Sequence, residues 1–139
     1  MRGIFADSFH WIALASPADA WHAEARRLTE ALAGVPLITT EEVLIEFLNW
    51  FSKRGSASRR QGAALVRGIM GLAHVQVMPQ THEGFVAALD LYEKRMDKQY
   101  SMTDCISMNT MRSLGISEVL THDEHSRQDG FHILFERTH

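Results

Sequence analysis

Four carboxylates in the 139-residue chain fall where an α/β protein keeps its ligand chemistry. Asp7 follows the apolar run Gly3-Ile4-Phe5-Ala6, and Asp123 follows the run from Glu118 to Thr121, as loops follow buried parallel strands. Asp104 lies in the first turn of a helix opened by Thr103-Asp104, and Glu46 projects from the polar side of the helix after the second strand. Open α/β sheets bind ligands in the crevice beyond the carboxyl ends of their strands. Carboxylates gathered there repel one another unless protonated or neutralised, and hard divalent ions such as Mg²⁺ or Mn²⁺ take oxygen ligands of this kind. Each acid also has a purely structural use. Asp7 and Asp123 suit turns or caps, Asp104 complements a helix dipole, and Glu46 shares a solvated face with Glu42 and Asn49.

The elements that must position these acids alternate. A strand over residues 3–6 precedes a helix over 9–15, and Ser16-Pro17 offers an N-cap and a first-turn proline for a second helix reaching about Ala33. Residues 36–39 read as the second strand, and Thr39 with Glu42 forms a capping-box pattern for a helix from Thr40 to about Lys53. A basic turn over residues 53–60 leads to a helix over 61–72 that carries Gly62 and Gly68, and the two helices form a hairpin. Residues 75–78 make the third strand. Phe85, Leu89, Tyr92 and Met96 recur at helical spacing, and residues 97–101 form a polar loop. The next helix carries Cys105, Met108, Met111 and Leu114 on one face and stops at Gly115. Residues 118–121 are the fourth strand, and after a polar loop residues 131–135 are the last. This order predicts a three-layer α/β/α fold with a small parallel-dominated sheet of four to five strands, in a single domain over 1–139.

Hydrophobic residues make up 45% of the chain and charged residues 22%, a globular composition. Fourteen Lys and Arg against seventeen Asp and Glu leave a net charge of -3, so there is no broad basic surface and any nucleic-acid role needs a local explanation. Cys105 stands alone, which excludes an internal disulfide and every multi-cysteine zinc motif and fits a cytoplasmic protein. No apolar run approaches the ~18 residues of a membrane span, and the N-terminus lacks a signal-peptide pattern. His122-x-x-His125 has no His-Glu-x-x-His context or cysteine partner to make it a zinc site. Phosphate-binding glycine motifs and a nucleophile elbow are absent.

Four segments together resemble the successive motifs of PIN domains, most closely those of VapC-type toxins. They are Ile4-Phe5-Ala6-Asp7-Ser8-Phe9, Thr39-Thr40-Glu41-Glu42-Val43-Leu44-Ile45-Glu46, Tyr100-Ser101-Met102-Thr103-Asp104-Cys105 and Val119-Leu120-Thr121-His122-Asp123-Glu124-His125. The resemblance runs in order over nearly the whole chain. It implies a Mg²⁺- or Mn²⁺-dependent endoribonuclease with Asp7, Glu46, Asp104 and Asp123 as its acidic quartet. Ser8 and Thr103 would orient carboxylates or waters, and Asp97 matches a recurrent acid before the third motif. Lys53, Arg54, Arg59 and Arg60 could attract RNA along the approach. A VapB-like antitoxin is implied as partner. A homodimer is expected through the hairpin, whose Trp50, Phe51, Ile69 and Met70 exceed what one small sheet can cover. Phe9 stands where relatives often carry a hydroxyl residue, and Ser126 follows His125 where a phenylalanine is common. Two other classes compete: a catalytically silent PIN scaffold that only binds protein, and a Mg²⁺-binding receiver domain. The second needs an acid after the central strand, and Val77-Met78-Pro79-Gln80 has none.

Overall fold

The computed structural model describes residues 3–136, so residues 1–2 and 137–139 of the expected domain lie outside the described residues. In chain order the elements are β1 (Ile4–Ala6), α1 (Ser8–Ala15), α2 (His22–Ala31), β2 (Leu37–Thr40), α3 (Glu41–Ser52) and α4 (Ser56–Met70). They continue with β3 (Val75–Met78), α5 (His82–Lys94), α6 (Met102–Leu114), β4 (Glu118–Leu120), α7 (Glu124–Gln128) and β5 (His132–Ile133). The five strands form one sheet in the order β3-β2-β1-β4-β5, with every pairing parallel. Helices flank the sheet in an α/β/α arrangement, as the alternation predicts. Among the described residues no helix is long and apolar enough to cross a membrane.

The order places β1 at the centre, buried along its whole length. From β1 the chain winds outward through β2 and β3, then returns to add β4 on the opposite side. The reversal falls between β1 and β4, the kind of switch point at which strand ends diverge and leave a crevice. Phe5, Ile38, Val119 and Ile133 fill the sheet, and Val43, Phe47, Cys105, Met108 and Met111 cover it from α3 and α6. Cys105 is therefore a packed thiol, its pKa raised first by burial and then by Asp104 and Asp129.

Several boundaries differ from the sequence expectation. The second helix starts at His22, because Ser16 and Asp19 carbonyls accept from Asp19 and His22 N–H and the Asp19 carboxylate accepts from Trp21 N–H, spending residues 16–21 on turns. Thr40, not Thr39, caps α3, accepting from Val43 N–H at 3.0 Å. Thr39 is fully buried and donates its hydroxyl to Ala6 O at 2.8 Å. The basic turn is shorter than expected: Gly55, at φ 92°, ends it, and Arg59 and Arg60 already belong to α4. The polar stretch after β4 contains α7, and regular pairing in β5 is confined to two residues, although Leu134 and Phe135 N–H still bond Val119 O and Thr121 O.

The apolar surplus on the hairpin is smaller than expected. Phe51 is 3% exposed and Ile69 8%, both covered within the protomer, and Trp50 is half-buried beneath Arg54, leaving Met70 as the exposed member of that set. Phe85, Leu89, Tyr92 and Met96 face outward instead of into the core, while Ala88 is the buried residue of α5.

Candidate active site

Asp7 is the first residue after the central strand and the N-cap of α1, so chain direction and capping chemistry fix it together. Its Oδ1 accepts from Ser8 N–H at 2.8 Å and its Oδ2 from the Thr121 hydroxyl at 3.0 Å. The same Thr121 oxygen accepts from Asp123 N–H at 3.1 Å, so one buried hydroxyl at the end of β4 ties two of the acids to each other. Asp123 caps α7 through His125 N–H at 3.0 Å. Asp104 closes a capping box with Ser101 at the start of α6, accepting from Ser101 N–H at 2.9 Å. Glu46 reaches in from the second turn of α3 and accepts from the Ser8 hydroxyl at 2.9 Å, with Thr103 as a further hydrogen-bond partner.

The four acids therefore line a single crevice of about 500 Å³, together with Ser8 and Ser101. Three of them are caps as well, so the structural and chemical uses of these acids coincide. Burial, first, and then Glu46 and Asp104 push the Asp7 carboxyl up to about 7, against the opposing hydrogen bonds from Ser8 and Thr121. Glu46 is raised too, by burial and then by Asp104 and Asp123, with Ser8 and Thr103 opposing. Such a site is short of positive charge. The donor set, carboxylate oxygens with one imidazole nitrogen, fits a hard divalent cation. Among the described residues, Asp104, Asp123 and His125 offer one ligand atom each within 4.8 Å of one another.

His125 is the site residue that sequence reasoning passed over. Its Nδ1 lies 3.0 Å from Asp104 Oδ2 and 3.5 Å from Asp123 Oδ1, across the gap between α6 and α7. Zinc reasoning paired it with His122, which also lines the crevice but is engaged otherwise: its Nδ1 contacts Phe135 O at 2.9 Å and its ring joins Phe9, Trp21 and Phe135 in an aromatic cluster. Phe9 thus serves packing where a hydroxyl is common.

Asp129 was also missed. Its side chain is 2% exposed and accepts from Arg95 at 2.8 Å, from the Tyr100 hydroxyl at 3.1 Å and from Arg112. Burial and the Asp129 carboxylate push the Tyr100 phenol up to about 12. The Tyr100 ring in turn meets the His125 ring edge-on at 5.4 Å. A Tyr-x-x-Asp spacing would not have revealed this, since 29 residues separate Tyr100 from Asp129.

The remaining expected residues stand apart from the crevice. Asp97 is exposed and faces Arg95 and Lys98 at 3.5 and 3.9 Å. Lys53 and Arg54 follow the last turn of α3, about 10 Å along its axis from Glu46. Arg54 is spent on the Trp50 ring and carbonyl, and Arg59 donates to Ser52 O at 3.2 Å. Arg60, on α4, does not line the crevice either.

No protein-family model and no curated protein matches the sequence. Solved structures do. That of VapC20 from Mycobacterium tuberculosis, described as a sarcin-ricin loop cleaving toxin, aligns over 92% of this chain and 95% of its own with a TM-score of 0.81 and 26% identity. DNA-bound VapBC from Salmonella typhimurium aligns over 96% and 98% of the two chains with a TM-score of 0.66 and 15% identity. FitAcB from Neisseria gonorrhoeae aligns over 95% and 96% with a TM-score of 0.67 and 13% identity, and these last two likenesses speak for the fold alone.

Proposed function

We propose, from its likeness in fold and at 26% identity to VapC20, that the chain is a VapC-like PIN domain and a divalent-metal-dependent endoribonuclease, the toxin of a toxin-antitoxin pair. The observation that carries this reading is the convergence of Asp7, Glu46, Asp104 and Asp123, from four separate elements, in one crevice where burial and neighbouring acids raise the pKa of Asp7 and of Glu46. The toxin it resembles at 26% identity is described as cleaving the sarcin-ricin loop, which supports a nuclease reading here.

In this reading Asp7 and Asp104 are the firmest ligands of Mg²⁺ or Mn²⁺, with Glu46, Asp123 and His125 completing the site directly or through water. When bound, the ion would supply Lewis acidity toward a phosphate oxygen and would lower the pKa of a water beside it. The chain's own groups hold the geometry. Thr121 fixes the rotamer of Asp7 and the backbone of Asp123, Ser8 aims Glu46, and Ser101 anchors Asp104. Acids alone would repel RNA, a conflict that a cation held by these carboxylates would relieve.

A VapB-like antitoxin is the proposed partner, supported by the likeness to the VapBC and FitAcB structures. An apolar groove lined by Trp11, Leu14, Phe47, Leu65 and Leu72 between α1, α3 and α4 supplies a surface for an amphipathic segment. We further read residues 1–139 as one domain, a cytoplasmic protein, and a homodimer through the α3–α4 hairpin, on which Met70 is the exposed member of the expected set. A silent scaffold has no specific observation in its favour.

The test is incubation of purified protein with a panel of structured RNAs in Mn²⁺ and in EDTA. Cleavage at one or a few sites in Mn²⁺, abolished by EDTA, is the expected result. Cutting that persists undiminished after metal stripping, or none on any RNA, contradicts the reading.

A further inference from the structure

Beside the acidic crevice lies a second cavity of about 430 Å³, bounded by Tyr92, Arg95, Met96, Lys98, Gln99 and Ser101. Gln99 and Ser101 line both, so the two spaces share a wall. The chemistry changes across that wall. One side holds four carboxylates, and the other holds two cations and an aromatic ring that is 49% exposed. Resting on the ribonuclease reading, we propose that this second cavity is a subsite for the nucleotide next to the scissile phosphate, with Tyr92 stacking its base and Lys98 and Arg95 taking its phosphate.

The cavity is built, not merely exposed. Arg95 is held from behind by the buried Asp129, which also fixes the Tyr100 hydroxyl, so the guanidinium and the loop that carries it are positioned before any ligand arrives. Lys98 Nζ stands 3.9 Å from Asp97 Oδ2, too far for a hydrogen bond, so that contact consumes none of its N–H donors. Single-stranded nucleic acid is held by this pairing of backbone cations with a stacking ring. The volume suits one nucleotide-sized ligand. The location also answers the charge problem: the net charge is -3 and the 53–60 cations line neither space, whereas Arg95 and Lys98 line the cavity that shares a wall with the crevice, in the segment that leads into Asp104.

The test combines cleavage kinetics in Mn²⁺ with fluorescence anisotropy on a labelled short single-stranded RNA, for wild type, Tyr92→Ala, Tyr92→Phe, Lys98→Ala and Arg60→Ala. Tyr92 and Lys98 are surface residues, so the variants keep the fold. Tyr92→Ala should raise KM and Kd about 10-fold with kcat unchanged, and Tyr92→Phe should restore both. An abasic site at the flanking nucleotide should erase the difference between wild type and Tyr92→Ala. Lys98→Ala should flatten the dependence of log Kd on log salt by about 0.7, while Arg60→Ala leaves it unchanged. RNA cleaved by wild type, Tyr92→Ala and Lys98→Ala with equal KM overturns the subsite and leaves the nuclease reading intact. Absence of any cleavage overturns the nuclease reading, and RNA binding that still depends on Tyr92 and Lys98 would then support the subsite alone. A Tyr92→Ala protein that sediments at lower mass than wild type, with unchanged RNA binding, assigns the ring to a protein contact and overturns the proposal.

Discussion

Above pH 7 in metal-free buffer, Asp7 carries a charge that its surroundings disfavour. Its folded-state pKa of about 7 lies above the ordinary 3.8, so the folded state binds more protons than the unfolded one and stability falls as pH rises between those values. The full difference corresponds to roughly 4 kcal/mol against the ionised form. Asp7→Asn keeps an oxygen for Ser8 N–H and removes the charge. It should melt close to wild type near pH 4 and clearly higher at pH 8 in EDTA, while saturating Mn²⁺ should stabilise wild type more than the variant. Thermal melts at both pH values decide this, and an Asn variant that melts lower at pH 8 would make Asp7 an ordinary cap. Thr121 acts on the same carboxylate from the other side. Thr121→Val preserves shape but leaves Asp7 Oδ2 without its donor and Asp123 N–H without its acceptor, which should lower stability by about 1–3 kcal/mol in urea unfolding and weaken Mn²⁺ binding measured by calorimetry.

Among the elements, the α3–α4 hairpin shows how two glycines in one helix can differ. A Cβ on Gly62 would stand 3.0 Å from Cβ and Cγ of Phe51, a buried ring with nowhere to retreat, whereas a Cβ on Gly68 meets nothing within 4 Å. Gly62→Ala should therefore destabilise the protein by about 1–3 kcal/mol, and Gly68→Ala should stabilise it by about 0.5–1 kcal/mol. Chemical denaturation of the two variants checks the pair, and equal effects would mean that the hairpin packs otherwise. The sequence made β3 legible to the residue because Pro79 bounds an apolar run, and it placed the acids at strand ends because parallel strands bury their whole length. It misplaced the start of α2 because Ser16-Pro17 is an equally good turn, and side-chain bonding by Asp19 is invisible as a pattern. It took Thr39 for a cap because nothing local says that Thr39 is needed to bond Ala6 O on the neighbouring strand. His125 meets Asp104 across 21 residues, and Asp129 meets Arg112, Tyr100 and Arg95 across 17, 29 and 34, beyond the reach of spacing.

For the molecule as a whole, the strand order decides where chemistry is possible. Reversal at β1 brings Asp7 beside Thr121 and Asp123, and the helices that follow β2 and the 95–101 loop deliver Glu46 and Asp104 to the same opening. No strong positive field attracts RNA at long range, so binding and catalysis should both depend on the ion and on cations bordering the crevice. The central claim is that these four carboxylates act together through a divalent ion. The measurement that tests it most directly is single-turnover RNA cleavage in saturating Mn²⁺ by wild type and by Asp7→Asn, Glu46→Gln, Asp104→Asn and Asp123→Asn, each first shown by circular dichroism to be folded. The account predicts cleavage by wild type and a loss of at least about 100-fold for Asp7→Asn, Glu46→Gln and Asp104→Asn, with a smaller or equal loss for Asp123→Asn. Folded variants that all cleave at the wild-type rate would contradict it.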